Sequence, residues 1–203
     1  MPTRLRLLVG VVRMVRMAPA LLALTAGAGT AAWAQDPAAR LQACAACHGA
    51  EGKPALENVP LLAAQPKVFL ETQLVFIREG LREIPAMSGM LEGVSDQDLT
   101  AMASHFSSQA PQPVPAGKDP ARYEKGRQLA QDNRCGTCHL PDYSGREQMP
   151  RLAGQREDYL LQTMQRFKNN QATGRDTLMA AALYGIPDPD LEAIAHFLAH
   201  LAP

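Results

Sequence analysis

The chain is poor in aromatic residues, with one Trp, four Tyr and five Phe in 203 positions. It has only four cysteines, no excess of basic over acidic side chains, and no segment that alternates apolar and polar residues. Beyond the first 34 residues it has no long apolar run. Each shortage removes a class of protein. Without alternation there is no half-buried sheet. Without a late run of roughly 20 apolar residues there is no polytopic membrane protein. The charge balance argues against nucleic acid as a partner, because that needs a basic face. The scarcity of rings leaves small domains short of core volume, which something other than side chains must fill.

All four cysteines fall in two Cys-x-x-Cys-His motifs, Cys44-Ala45-Ala46-Cys47-His48 and Cys135-Gly136-Thr137-Cys138-His139, 91 positions apart. This is the attachment signature of c-type haem. Cysteines three apart share one face of a helical turn, so both thiols can reach the vinyl groups of one porphyrin. The histidine that follows lies under the iron and supplies an axial nitrogen. A pair of zinc sites is the rival reading, but each would need a fourth ligand and no further Cys or His pair is spare. Two covalently bound haem c groups are therefore expected, one on Cys44 and Cys47, the other on Cys135 and Cys138. Two apolar macrocycles would also supply the missing core volume.

The N-terminus reads as an export signal. Arg4, Arg6, Arg13 and Arg16 precede an apolar run from Met17 to about Ala28, and Ala32-Trp33-Ala34 is a small-x-small cleavage site. Cleavage after Ala34 would leave 169 residues in the periplasm, an oxidising compartment. It would also remove four of the 20 basic residues, so the formal net charge of zero hides a mature net of −4. Residues 36–110 hold five basic and nine acidic side chains, whereas residues 111–203 hold eleven of each. A field of that kind steers partners in solution.

The mature sequence is duplicated. Leu62-Ala63-Ala64-Gln65 recurs as Leu152-Ala153-Gly154-Gln155, and Pro60 and Pro150 stand two positions ahead. Phe69-Leu70 recurs as Tyr159-Leu160, and Met87 and Asp98 recur as Met179 and Asp190. Between the copies, Pro111, Pro113 and Pro115 favour an extended, semi-rigid linker. The expected organisation is a signal peptide at 1–34, a first domain at 35–110, a linker at 111–118 and a second domain at 119–203. Apolar stripes predict helices from Pro66 to about Arg82 and from Glu157 to about Lys168. Ser95 opens a capping box for a helix through Ser108. Asp188 reads as an N-cap with Pro189 at the first helical position, for a helix to about His200.

The second axial ligand must come from the other face of each haem. A thioether is soft and raises the reduction potential. Met87 and Met90 are available in the first half, and Met149, Met164 and Met179 in the second. Repeat alignment favours Met87 and Met179, which lie 39 after His48 and 40 after His139. Met90 has Ala182 as its counterpart, Met149 adjoins Pro150 on the histidine side, and Met164 falls on a helix stripe. An axial histidine normally donates its other ring N–H to a carbonyl, for which Pro60 and Pro150 are placed. His105 aligns with Phe197 and reads as a packing position. His196 and His200, four apart, read as solvated helix-end residues, with a surface metal as the alternative.

Taken together, these residues resemble a dihaem class I cytochrome c of the cytochrome c4 type. The carriers of the resemblance are Cys44–Gly49, Pro60-Leu61-Leu62-Ala63-Ala64-Gln65 and Met87-Ser88-Gly89-Met90-Leu91 ahead of Val94–Leu99, with their counterparts around Cys135, Pro150 and Met179. The resemblance implies an all-α fold of two tandem class I cytochrome c domains joined by a Pro-rich linker. It implies His48/Met87 and His139/Met179 ligation, and periplasmic electron transfer rather than catalysis. Expected partners are a cytochrome bc-type complex, a terminal oxidase or a dehydrogenase, with peripheral membrane association compatible. Relatives also serve as dihaem subunits of dehydrogenases such as flavocytochromes. A peroxidase-like enzyme would need an open iron position, which a methionine in each half argues against. Two departures stand out. Gly126, where the family packs its first helix on its last, has Gln35 as its counterpart in the first half. Arg151, which either neutralises a haem propionate or is an exposed surface arginine, has Leu61 as its counterpart. The more acidic first half, lacking that arginine, is expected to hold the haem of lower potential.

Overall fold

A computed structural model describes Met1 and residues 37–113, 115–172 and 177–202. The expected signal, its cleavage site and Gln35 lie outside the described residues. The chain divides into two units, residues 1–34 and 35–203, and every described helix belongs to the second.

Among the described residues the architecture is all-α. The first half carries α1 (Pro37–His48), α2 (Lys67–Arg78), a 3₁₀ turn (Pro85–Met87) and α3 (Asp96–Ser107). The second carries α4 (Pro120–Asp132), α5 (Gly136–His139), α6 (Glu157–Lys168), α7 (Thr177–Leu183) and α8 (Asp188–Ala199). An isolated bridge between Arg146 and Met149 is the sole β pairing among these residues.

Local chemistry explains most boundaries. Ser95 Oγ accepts the Asp98 N–H at 3.1 Å and opens α3. Asp119 accepts from Ala121 and Arg122, and Pro120 at the first position presets α4. The α2 helix stops at Arg78, short of the expected Arg82, because the chain turns at Gly80 with φ +68°. The α8 start is shifted by one: Pro187 is the cap residue, with no side-chain cap bond. Asp188 instead takes the Lys168 ammonium at 2.6 Å.

Packing is tightest where α4 crosses α8. A Cβ on Gly126 would lie 1.9 Å from the Ala193 carbonyl oxygen and 2.7 Å from Phe197 Cβ, so only glycine permits the crossing. The second half builds one continuous core there, around Leu191, Ile194, Phe197 and Leu198. The first half has two smaller clusters, one around Leu91, Val94, Leu99 and Met102, the other around Leu70, Ala103 and Phe106.

The halves meet through paired glutamines, each 4 % exposed. Gln155 accepts the Leu61 N–H at 2.8 Å and donates to the Leu61 carbonyl at 3.0 Å. Gln65 treats Arg151 in the same way, at 3.0 Å for both bonds. Asp158 and Arg156 add a one-sided clamp, reaching the Asn58 N–H at 2.8 Å and the Pro54 carbonyl at 3.2 Å.

Candidate haem sites

Both motifs sit on helical turns, as the spacing requires. The first ends α1 without a break. The second follows α4 after a kink at Arg134, whose φ is +57°. In each, the outer cysteine is exposed (Cys47, Cys138) and the inner one half-buried (Cys44, Cys135), and none of the four pairs in a disulfide. Burial raises the inner thiols above their ordinary pKa.

The two histidines are buried and held alike. His48 Nδ1 lies 3.1 Å from the Pro60 carbonyl oxygen, and His139 Nδ1 2.9 Å from that of Pro150. A carbonyl only accepts, so each Nδ1 carries the proton and each Nε2 presents its lone pair. Burial lowers both pKa values, and the proline hydrogen bonds oppose that only partly. The neutral imidazole that results is the form that binds a metal. His139 Nε2 is buried without a hydrogen-bond partner, and a buried, unpaired acceptor calls for a ligand. Cysteines outside any disulfide, neutral histidines and this orphaned nitrogen together fit covalently attached haem.

The methionines separate by burial. Met87, closing the 3₁₀ turn, is half-buried, whereas Met90 is 47 % exposed. Met179, on α7, is half-buried against the second core. Met164 lies inside that core, 7 % exposed, and Met149 is half-buried in the Arg146–Met149 bridge.

Arg151 is half-buried, and among the described residues no carboxylate pairs with its guanidinium. Burial lowers its pKa, with Asp142 opposing.

Three histidine expectations change. His105 is exposed rather than buried, although its ring lies edge-on to Phe106 at 5.1 Å and reaches Gln109 Nε2 at 3.1 Å. His196 and His200 are buried, not solvated, because α6 and the start of α4 close over α8. Glu157 joins them, the three ligand atoms falling within 4.8 Å of one another. They are already engaged, however. His196 accepts the Asp119 N–H at Nε2 (3.0 Å) and donates from Nδ1 to Glu157 (2.9 Å), while His200 Nδ1 donates to the His196 carbonyl (2.9 Å). The trio therefore forms a hydrogen-bonded tie between the N-cap of α4, α6 and α8.

Duplicated helical domains, each with an attachment turn and a carbonyl-backed histidine, define a c-type cytochrome with two haems. The "Cytochrome c" family profile matches residues 123–202, and that of "Cytochrome C oxidase, cbb3-type, subunit III" matches residues 28–105. Cytochrome c4 of Azotobacter vinelandii is 32% identical over 86% of this chain and 90% of its own length. The thiosulfate dehydrogenase electron acceptor of Thiomonas intermedia (strain K12) is 33% identical over 85% of this chain and 84% of its own. The crystal structure of reduced recombinant cytochrome c4 from Pseudomonas stutzeri matches with a TM-score of 0.73 at 31% identity, covering 83% of this chain and all of that one. The chain belongs to the cytochrome c4 family and is a dihaem electron-transfer cytochrome with two covalently bound haem c groups.

Proposed function

We propose that this protein is a periplasmic carrier of a respiratory chain, with His48 and Met87 ligating one iron and His139 and Met179 the other. A haem iron supplies one-electron chemistry between its ferric and ferrous states. Cys44 and Cys47, and Cys135 and Cys138, tether the two groups by thioethers. The Pro60 and Pro150 carbonyls fix the tautomer and ring orientation of the histidines. Arg151 would neutralise a propionate of the second haem, an assignment supported by a half-buried guanidinium that makes no ion pair among the described residues. The domains run 35–110 and 119–203, joined by 111–118, and the first 34 residues are an export signal. No helix among the described residues is long and apolar enough to cross a membrane. With a methionine as well as a histidine available to each iron, the protein would act as a carrier rather than an enzyme.

The observation that carries this reading is the pair of buried neutral histidines whose Nδ1 is taken and whose Nε2 is left to bind. Its test is the optical spectrum of the holoprotein, with haem counted per chain and the weak far-red methionine-to-ferric-iron band quantified. Two haems with two methionines' worth of band are expected, and Met87→Ala and Met179→Ala should each remove half. Half the band in the unaltered protein would mean an open iron and return the enzyme reading. In a site-resolved titration of these variants the N-terminal haem should be reduced last.

A second reading, electron acceptor of a periplasmic dehydrogenase, is favoured by the 33% identity to a thiosulfate dehydrogenase electron acceptor. A cytochrome bc-type complex and a terminal oxidase are the partners under the first reading. A dehydrogenase that co-purifies on gentle isolation would select the second.

A further inference from the structure

The loops that back the two histidines also form the contact between the halves. The peptide unit joining Pro60 and Leu61 has both polar groups in use. Its carbonyl accepts from His48 Nδ1 at 3.1 Å, and its N–H donates to Gln155 Oε1 at 2.8 Å. The peptide joining Pro150 and Arg151 is wired identically, to His139 Nδ1 at 2.9 Å and to Gln65 Oε1 at 3.0 Å. Neither glutamine can be turned over. Each amide also donates to the next carbonyl, of Leu61 or Arg151, so reversal would oppose donor to donor and acceptor to acceptor.

A peptide N–H and its carbonyl are conjugated through one C–N bond. An acceptor on the N–H pushes electron density to the carbonyl oxygen, and hydrogen bonds in such a chain strengthen one another. A stronger carbonyl acceptor draws harder on the histidine Nδ1 proton and makes Nε2 the more basic ligand. A more basic ligand stabilises ferric iron.

We propose that each glutamine is a positioning and tuning residue for the haem of the opposite domain: Gln155 lowers the potential of the haem on Cys44 and Cys47, and Gln65 that of the haem on Cys135 and Cys138. This rests on His48 and His139 being axial ligands. The effect is crossed, so each glutamine acts on the iron whose motif lies in the other half of the sequence. The two relays differ in one respect. Gln155 Oε1 also accepts the Arg156 N–H at 3.0 Å, whereas Pro66, which follows Gln65, has no N–H to offer. Gln65 is thus the undivided acceptor and exerts the larger pull.

The test uses holoprotein carrying Gln65→Met, Gln155→Met, Gln65→Glu or Gln155→Glu. Methionine keeps the bulk and removes the acceptor; an ionised glutamate is the stronger acceptor for the loop N–H but gives up the donor to the next carbonyl. Site-resolved redox titration is paired with the Nδ1–H proton resonances of His48 and His139 in the reduced state. Gln155→Met should make the N-terminal haem easier to reduce, by about threefold in equilibrium constant, and weaken the His48 Nδ1–H bond. Gln155→Glu should move both readouts the other way, and the Gln65 variants should act on the C-terminal haem. Equal movement of both haems, or the same sign from Met and Glu, would reduce the glutamines to interface packing and overturn the proposal. The ligand reading is checked separately. If His48→Ala or His139→Ala leaves the spectrum of its haem unchanged, that reading fails. If the histidine variants alter the spectrum and the glutamine variants move neither potential, only the relay fails.

Discussion

Gly52 and Tyr143 occupy the same point on the repeated backbone. Each carbonyl accepts a hydrogen bond from the equivalent leucine, Leu62 at 3.0 Å and Leu152 at 2.9 Å, and each residue has positive φ, 65° and 56°. In the first half a Cβ at this point would meet the Ala63 nitrogen at 2.7 Å and the Gln109 side chain at 2.8 Å, so glycine is required. In the second half a buried tyrosine stands at this point. The left-handed backbone costs about 1–2 kcal/mol in a residue with a side chain. The return is a ring set edge-on to Phe197 at 5.5 Å, opposite Tyr123 at 5.1 Å. The backbone trace is therefore shared while the filling is not. The second half is packed by rings and by a helix lying across Gly126, whereas the first, with two thin clusters, depends more on its haem for a core.

That difference can be tested at matched positions. Phe197→Ala should cost about 4 kcal/mol, read by denaturant unfolding followed through the absorbance of the second haem. Its repeat mate His105→Ala should change stability by less than about 0.5 kcal/mol, since the ring is exposed. Equal costs would make the two last helices equivalent and dissolve the contrast. Gly126→Ala should cost about 2 kcal/mol, because the new Cβ meets backbone that cannot rotate away. A silent Gly126→Ala would mean that α4 lies loosely on α8.

A small, pH-dependent effect is expected at the one-sided clamp. Burial pushes the Asp158 carboxyl up, but hydrogen bonds from Arg156, Asn58 and Tyr159 outweigh it and hold the pKa below the ordinary aspartate value. Its stabilisation is complete above the unfolded value of about 3.9 and fades as pH falls through the lower folded one. Asp158→Asn should therefore cost under about 1 kcal/mol at neutral pH and nothing near pH 2. A difference that persists in acid would trace to packing rather than charge.

The sequence showed what is local. The attachment turns, the duplication and the α3 and α6 helices are written in short-range spacing, and the all-α class follows from them. The seven residues of α7 are too few to show a helical stripe. Buried His196 and His200 could not be told from solvated ones, because what covers them is Glu157 of α6 and the start of α4, both remote in sequence. Gln65 and Gln155 were visible only as repeat markers. Their work lies in bonds spanning 86 and 94 positions, and no periodicity signals that.

Those exchanged bonds have the form of an isologous contact, in which one residue meets its partner's loop and the partner's copy returns the same grip. The chain is in that sense a homodimer closed into a single polypeptide. The linker replaces mass action by a fixed local concentration. Once both copies are encoded separately, each side of the contact can change alone. Pro66 and Val68 stand in the first copy where Arg156 and Asp158 stand in the second, and a symmetric dimer could never have kept that distinction.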